Sequence, residues 1–286
     1  MNSTIFTELK HKMFRSGSRM HLFIGINLIV FLIIKLIAVG EFLFTKGTPI
    51  ATWITNILSM PGYPENLLYK FWTPVTYMFT HGDFFHILFN LLWLYWMGRI
   101  FEDFLNQRQF TFTYLAGGLA GALFFILAYN IFPAFRDDVQ YSLILGASAS
   151  VSAIVIATAT LVPEYTISLL FFGLVRLKYL ALVYILLDLI TIASSNPGGS
   201  IAHLGGALLG FIFIKRLNAG SDWSKILKRR SDLRIVNNNR NSTISSASKL
   251  PDQETIDRIL DKISQSGYNS LTKQEKEQLF KASDKK

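Results

Sequence analysis

The 286-residue chain reads as an all-α membrane protein: a polytopic bundle of six transmembrane helices followed by a cytoplasmic helical tail. Three observations predict this. Apolar segments recur at about 21–44, 84–101, 110–132, 146–162, 178–194 and 200–217, each near the length a helix needs to cross roughly 30 Å of hydrocarbon. Hydrophobic residues make up 51% of the chain and charged ones only 16%, and most of the charge sits toward the two ends. Lys and Arg are also shared unequally between alternate connections, as membrane topology requires.

Taken in order, the first span from His21 to Thr45 follows the basic residues Lys10, Lys12, Arg15 and Arg19. It lacks a following small-x-small cleavage site and exceeds the usual apolar length of a signal peptide, so it is read as retained. Arg99 and Arg108 flank the turn between spans two and three, and Arg176 and Lys178 precede span five. Lys215, Arg216, Lys225, Lys228, Arg229 and Arg230 follow span six. The alternate connections carry only Lys46, Lys70 and Arg136. The positive-inside rule then places both termini in the cytoplasm, and the openings of spans two, four and six on the outer side. The net charge of +9 is accounted for by topology and by attraction to an anionic inner leaflet of the lipid bilayer. No basic groove interleaved with stacking aromatics points to nucleic acid.

The connection 46–83 is long and aromatic, with Trp53, Met60, Pro61, Tyr63, Pro64, Tyr69, Phe71, Trp72 and Pro74. It lies in the headgroup zone or is an ordinary loop with a few belt aromatics. The stretch 164–177 is either an interfacial connection or an early start to the fifth helix. The chain divides into a cytoplasmic tail at 1–20, a membrane domain at 21–217, a basic amphipathic segment and linker at 218–250, and a helix-turn-helix unit at 251–286. In that last unit Ile256, Ile259, Leu260 and Ile263 keep helical spacing and Gly267 suits a stop. Thr272 and Glu275 then form a capping box ahead of Leu279 and Phe280. Two short helices bury little surface alone, so this unit is expected to dock on a protein partner or to self-associate.

The chemistry-bearing residues open alternate spans. His86 and Asn90 lie four apart in span two, hence on one helix face. Span four opens Gly146-Ala147-Ser148-Ala149 and span six Ala202-His203-Leu204-Gly205-Gly206, with Gly210 a turn later. A serine among small residues in a membrane helix ordinarily serves packing, and a lone intramembrane histidine is ordinarily satisfied by a carbonyl. Here, however, the alternation of spans brings a hydroxyl, an imidazole and two donors to one side at one depth. Gly206 and Gly210 face a small-residue stripe of Ala149, Ala153 and Ala157, so two helix axes approach closely and Ser148 comes within reach of His203. His86, Asn90 and the Ser148 backbone amide are then candidate donors to an oxyanion. With no cysteine in the chain, disulfides and thiolate nucleophiles are excluded. A metal is not expected, because His86 and His203 lack further ligands at helical spacing, and no cofactor is implied. Lys35 and Asp188 are two further intramembrane charges; pairing with each other or snorkelling explains them as well as an ion pathway does.

The H-x-x-x-N of span two, the G-x-S of span four and the A-H-x-G-G-x-x-x-G of span six together resemble the rhomboid intramembrane serine proteases. The run from Phe71 to Phe125, including Gly98-x-x-x-Glu102, is similar as well. The resemblance covers about residues 20–217. It implies a Ser148–His203 dyad without an acidic third member, an oxyanion hole from His86, Asn90 and the Ser148 amide, and single-pass or polytopic membrane proteins as substrates. A bacterial cytoplasmic membrane is the expected setting. The chain departs from the family pattern at Ala149, where glycine is usual, and at Ser152, where some relatives carry an aromatic that packs on the catalytic imidazole. A hydrogen bond or a neighbouring aromatic would then have to hold His203. The Trp-Arg pair frequent in the first outer loop is also missing. Two other readings stand beside the protease: an inactive rhomboid-like protein that binds membrane helices, and a small transporter suggested by Lys35 and Asp188.

Overall fold

The computed structural model describes residues 17–169, 173–193, 196–228 and 253–283. Lys10, Lys12, Arg15 and the linker at 237–250 lie outside the described residues. The chain separates into two compact units, Met1–Arg230 and Ser231–Lys286.

The first unit opens with α1 (Arg19–Thr45), whose first turn is capped by Ser18 accepting the His21 N–H. The long connection after α1 is built of regular elements. It holds α2 (Pro49–Leu58), the two-residue strand β1 (Met60–Pro61), and the short helices α3 (Glu65–Tyr69) and α4 (Thr73–Thr76). Next come α5 (Phe84–Phe104) and α6 (Gln107–Ile131), the latter capped by an Asn106–Gln109 capping box. Strand β2 (Leu143–Ile144) pairs antiparallel with β1, Met60 opposite Ile144. This pairing fastens the connection after α1 to the segment that leads into α7 (Ser148–Leu161).

The stretch after α7 resolves as a hairpin, β3 (Thr166–Leu169) against β4 (Gly173–Arg176), so α8 (Leu177–Thr191) begins only at its end. Glu164 clasps the hairpin base to the start of α8 through Arg176 at 2.9 Å and Lys178 at 2.5 Å. The unit closes with α9 (Pro197–Asn218) and a 3₁₀ turn at Trp223–Leu227. Four helices, α1, α5, α6 and α9, are long and apolar enough to cross a membrane, and α7 is a shorter apolar helix. The chain is a multi-pass membrane protein built as a helical bundle.

Helix α7 is the axle of the bundle. It is apolar on every side, the pattern of a helix with no solvent face, and every residue from Ala149 to Ala159 is buried. Its neighbours reach it because they lack side chains at the contacts. A methyl built on Gly206 of α9 would lie 2.0 Å from the Ala149 carbonyl oxygen, and one on Gly210 2.3 Å from that of Ala153. On the α6 side, a methyl on Gly117 would lie 2.2 Å from the Ala153 methyl, and one on Gly121 2.5 Å from that of Ala149. In a lipid solvent, helix association draws on such close van der Waals contact rather than on expelled water. An aromatic cluster fills the rest of the core: Phe23 stacks on Tyr114 at 4.2 Å, and Phe101 meets Phe110 edge-on.

Polar staples close the end of the bundle opposite the openings of α5, α7 and α9. Glu102, at the end of α5, accepts from Ser18 Oγ at 2.6 Å and from the Met20 N–H at 2.9 Å, joining α5 to the start of α1. Arg108 pairs with Asp222 at 2.8 Å, tying the start of α6 to the segment after α9.

The second unit is a pair of helices, α10 (Gln253–Ser266) and α11 (Lys273–Ser283). Gly267 stops the first with φ +75°, and Thr272 and Glu275 cap the second reciprocally. Ile259 and Leu271 are its buried residues among those described.

Candidate active site

The site is assembled by three helix openings that converge. At the first, Asp83 caps α5 by accepting the His86 N–H at 2.8 Å, which fixes His86 in the first turn and Asn90 one turn below it. Asn90 is buried and spends one amide N–H on the His86 carbonyl oxygen at 2.8 Å, keeping a second N–H for another acceptor.

At the second opening the chain runs through Gly146, whose N–H donates to the Tyr77 carbonyl at 2.9 Å. The Ala147 N–H donates to the ring nitrogen of a buried histidine, His81, at 3.3 Å. His81 in turn lies edge-on to His86, with ring centroids 5.1 Å apart. Helix α7 then starts at Ser148, and its first backbone donation back into the turn is Val151 N–H to Ala147 O. The Ser148 amide is therefore one of the unsatisfied N–H groups of a helix N-terminus, where the helix dipole also favours negative charge.

At the third opening Asn196 caps α9 through the Gly199 N–H at 3.1 Å, and Pro197 takes the first helical position. His203 follows in the second turn. Its Nδ1 lies 2.7 Å from Asp188 Oδ1 of α8.

Ser148, His203, His86 and Asn90 line one cavity of about 570 Å³, together with Tyr184 and the apolar Phe85, Phe89, Trp93 and Val151. The four residues expected from the sequence thus share a chamber. Among the described residues no hydrogen bond joins Ser148 to His203. The packing residues expected beside the site take separate duties. Gly206 and Gly210 seat α9 on α7, Ala149 puts its methyl in the gap left by Gly121, and Gly146 yields space to the His86 ring. The methyl of Ala149, where the resemblance implied glycine, is thus directed into the packed core.

Two expectations about Asp188 need correction. Asp188 and Lys35 do not pair with each other. Lys35 donates to the Gly82 carbonyl at 2.5 Å and lies over the Phe31 ring, whereas Asp188 holds the imidazole of His203. An acidic group therefore sits where the resemblance implied none. Its partner depends on how α8 is rotated about its own axis, which a mostly apolar segment states weakly. At Ser152, the sequence left a hydrogen bond or a neighbouring aromatic to hold His203 in place of the family's aromatic. Tyr184 of α8 takes over: its hydroxyl hydrogen-bonds with Ser152 Oγ at 2.7 Å and its ring centroid lies 6.4 Å from that of His203. A hydrogen bond and an aromatic both hold the imidazole.

Sequence reasoning missed His81, Tyr184 and the glycines of α6. A usable signal existed for Tyr184 and Asp188: with Thr191 they form a polar stripe at i, i+4 and i+7 along an apolar helix.

Comparison with known proteins adds a family. The Rhomboid domain model matches residues 69–218, which is over half of the chain. A family of unknown function, DUF6576, matches residues 246–285 and so covers the α10–α11 helix pair. RHOMBOID-like protein 12, mitochondrial, from Arabidopsis thaliana is 33% identical over 158 residues, 52% of this chain and 47% of that protein. The chain thus matches about half the length of this curated relative.

Proposed function

This chain belongs to the rhomboid family, and from that premise we propose that it is an intramembrane serine endopeptidase that cuts membrane-protein substrates in or near their transmembrane helices. The observation that carries the reading is the single cavity lined by Ser148, His203, His86 and Asn90, with Ser148 at the N-terminus of a buried helix.

In the proposed reaction the Ser148 Oγ attacks the substrate carbonyl carbon while His203 Nε2 takes the hydroxyl proton. As the Oγ–C bond forms, the carbonyl π pair moves to oxygen. That oxyanion is met by the Ser148 amide, the free N–H of Asn90 and the His86 ring, and loss of one such donor typically costs about 10²–10³ in rate. The intermediate collapses, the C–N bond breaks, and His203 returns its proton to the leaving amine. Water, deprotonated by His203, then hydrolyses the acyl-enzyme and restores Ser148.

Water must reach this chamber. At about 1.5 Å per residue the 14-residue α7 rises roughly 21 Å, short of the roughly 30 Å of hydrocarbon. With α7 and α8 counted as crossings, the bundle has six, and Ser148 begins beneath the outer surface under the ordered connection. Both termini are then cytoplasmic, in a bacterial cytoplasmic membrane, with Lys215 and Arg216 in the last turn of α9 on the inner side. A substrate helix hides its own backbone, so its outer end must unwind to offer an extended peptide bond.

The test is fluorophosphonate labelling of the purified protein, with cleavage of a co-expressed membrane substrate alongside. Wild type is expected to label and cleave, and Ser148→Ala and His203→Ala to do neither. Substrate co-purification with no labelling of the wild type would instead favour a helix-binding, non-catalytic rhomboid.

A further inference from the structure

Beyond its first turn, where Lys178 pairs with Glu164, helix α8 is apolar apart from one stripe, and every polar residue of that stripe reaches the site helices. Tyr184 bonds with Ser152 of α7 at 2.7 Å, Asp188 with His203 of α9 at 2.7 Å, and Thr191 with Ser200 of α9 at 2.9 Å. Of the three, only Asp188 carries a charge, and a carboxylate inside a membrane bundle is costly wherever it has no functional partner. Asp188 is nearly buried, and its second oxygen makes no hydrogen bond among the described residues. The one hydrogen bond of its carboxylate is to Nδ1 of His203, which leaves the other ring nitrogen for the chamber chemistry.

A carboxylate is an acceptor, so the Nδ1 of His203 facing it must carry hydrogen. In a neutral imidazole this leaves Nε2 bare, the form a general base requires. The same contact stabilises the imidazolium that arises once the proton has been taken, and it fixes the ring's rotation.

We propose that Asp188 is a positioning residue that holds His203 in the Nδ1–H tautomer, completing a Ser148–His203–Asp188 triad in place of a two-residue centre. This rests on the protease reading above. The deprotonation of Ser148 keeps its balance: one proton passes from Oγ to Nε2, and the Nδ1 proton stays on its nitrogen.

The experiment compares wild type, Ser148→Ala, Asp188→Asn and Thr191→Val for the rate and affinity of fluorophosphonate labelling, with thermal unfolding in detergent as the folding check. Asp188→Asn keeps shape but offers a donor to Nδ1, so the maximal labelling rate should fall by about 10² to 10⁴ while apparent probe affinity stays within about twofold. Asp188→Glu should recover part of the rate. Thr191→Val removes the α8–α9 bond to Ser200 and a bond to the Asp188 backbone carbonyl, leaves the Asp188 carboxylate and His203 in place, and should label like wild type. Equal losses in Asp188→Asn and Thr191→Val, or a labelling rate in Asp188→Asn within threefold of wild type, would overturn the proposal while leaving the protease reading intact. Absence of wild-type labelling would remove both. Should Asp188→Asn fail to fold, ¹⁵N NMR of the wild-type imidazoles decides, with His203→Gln identifying the signal. A protonated Nδ1 and bare Nε2 are expected, and the opposite tautomer overturns the proposal.

Discussion

Gly146 meets two demands that no other residue satisfies together. Its φ of +123° lies where a side chain is strained, and a methyl placed there would stand 2.6 Å from His86 Nε2. In the proposed reaction the glycine before Ala147 and Ser148 therefore serves the oxyanion site, because it lets the His86 ring lie against the backbone leading into α7. For Gly146→Ala the strain alone should lower stability by on the order of 1–3 kcal/mol, and the His86 ring must move out of the chamber. Fluorophosphonate labelling should fall by roughly 10² or more, the scale of one lost oxyanion donor, while the protein remains folded by size-exclusion profile. Labelling of this variant at the wild-type rate would remove His86 from the proposed chemistry.

At the scale of elements, the active site is a consequence of how closely α6 and α9 press on α7. The atoms facing Gly206 and Gly210 are backbone carbonyls of α7, which cannot rotate aside as a flexible side chain would. Gly206→Ala should therefore force the helices apart, at an overpacking cost of roughly 1–3 kcal/mol, and separate Ser148 from His203. Gly40→Ala on α1, where a methyl meets nothing within 4 Å, should leave the unfolding temperature unchanged or slightly raised. Thermal unfolding in detergent separates the two, and an unchanged midpoint in Gly206→Ala would refute the close-packing account. This scale also explains what the sequence could and could not reveal. The opening residues of alternate spans were legible because polar groups in a membrane are conspicuous, and because alternation alone decides their side. The match of Gly206 and Gly210 to Ala149 and Ala153 was legible as two small-residue stripes. Gly117 and Gly121 of α6 were not, since a glycine's role is written in what approaches it rather than in itself. Asp188 was visible as a charge, yet its partner is set by the azimuth of α8, and only the spacing of Tyr184, Asp188 and Thr191 hints at that angle.

Across the whole molecule the two units are stabilised by different physics, and acid should act on them unequally. The bundle depends mainly on buried glycine contacts and aromatic packing, which do not titrate, with the carboxylates Glu102 and Asp222 as staples at one end. The second unit buries little, and a single carboxylate is its polar hub. Glu275 accepts from the Thr272 N–H at 2.7 Å and Thr272 Oγ1 at 2.9 Å, and it pairs with Lys262 of α10 at 2.9 Å. The Thr272 backbone bond first, then Lys262 and the Thr272 hydroxyl, pull its carboxyl down to about 2. Its unfolded counterpart titrates near 4.3. A depressed folded pKa contributes stability that is complete above the unfolded value and fades as pH falls toward the folded one. The amide NMR signals of 253–283 in the full-length protein should thus keep their dispersion down to about pH 5 and lose it between roughly pH 4.3 and 2. Glu275→Gln cannot ionise, so it should show weaker dispersion at neutral pH and a smaller acid-dependent loss. An acid transition of the same size and midpoint in Glu275→Gln would assign the effect to other carboxylates and leave the α10–α11 pair without the hub described.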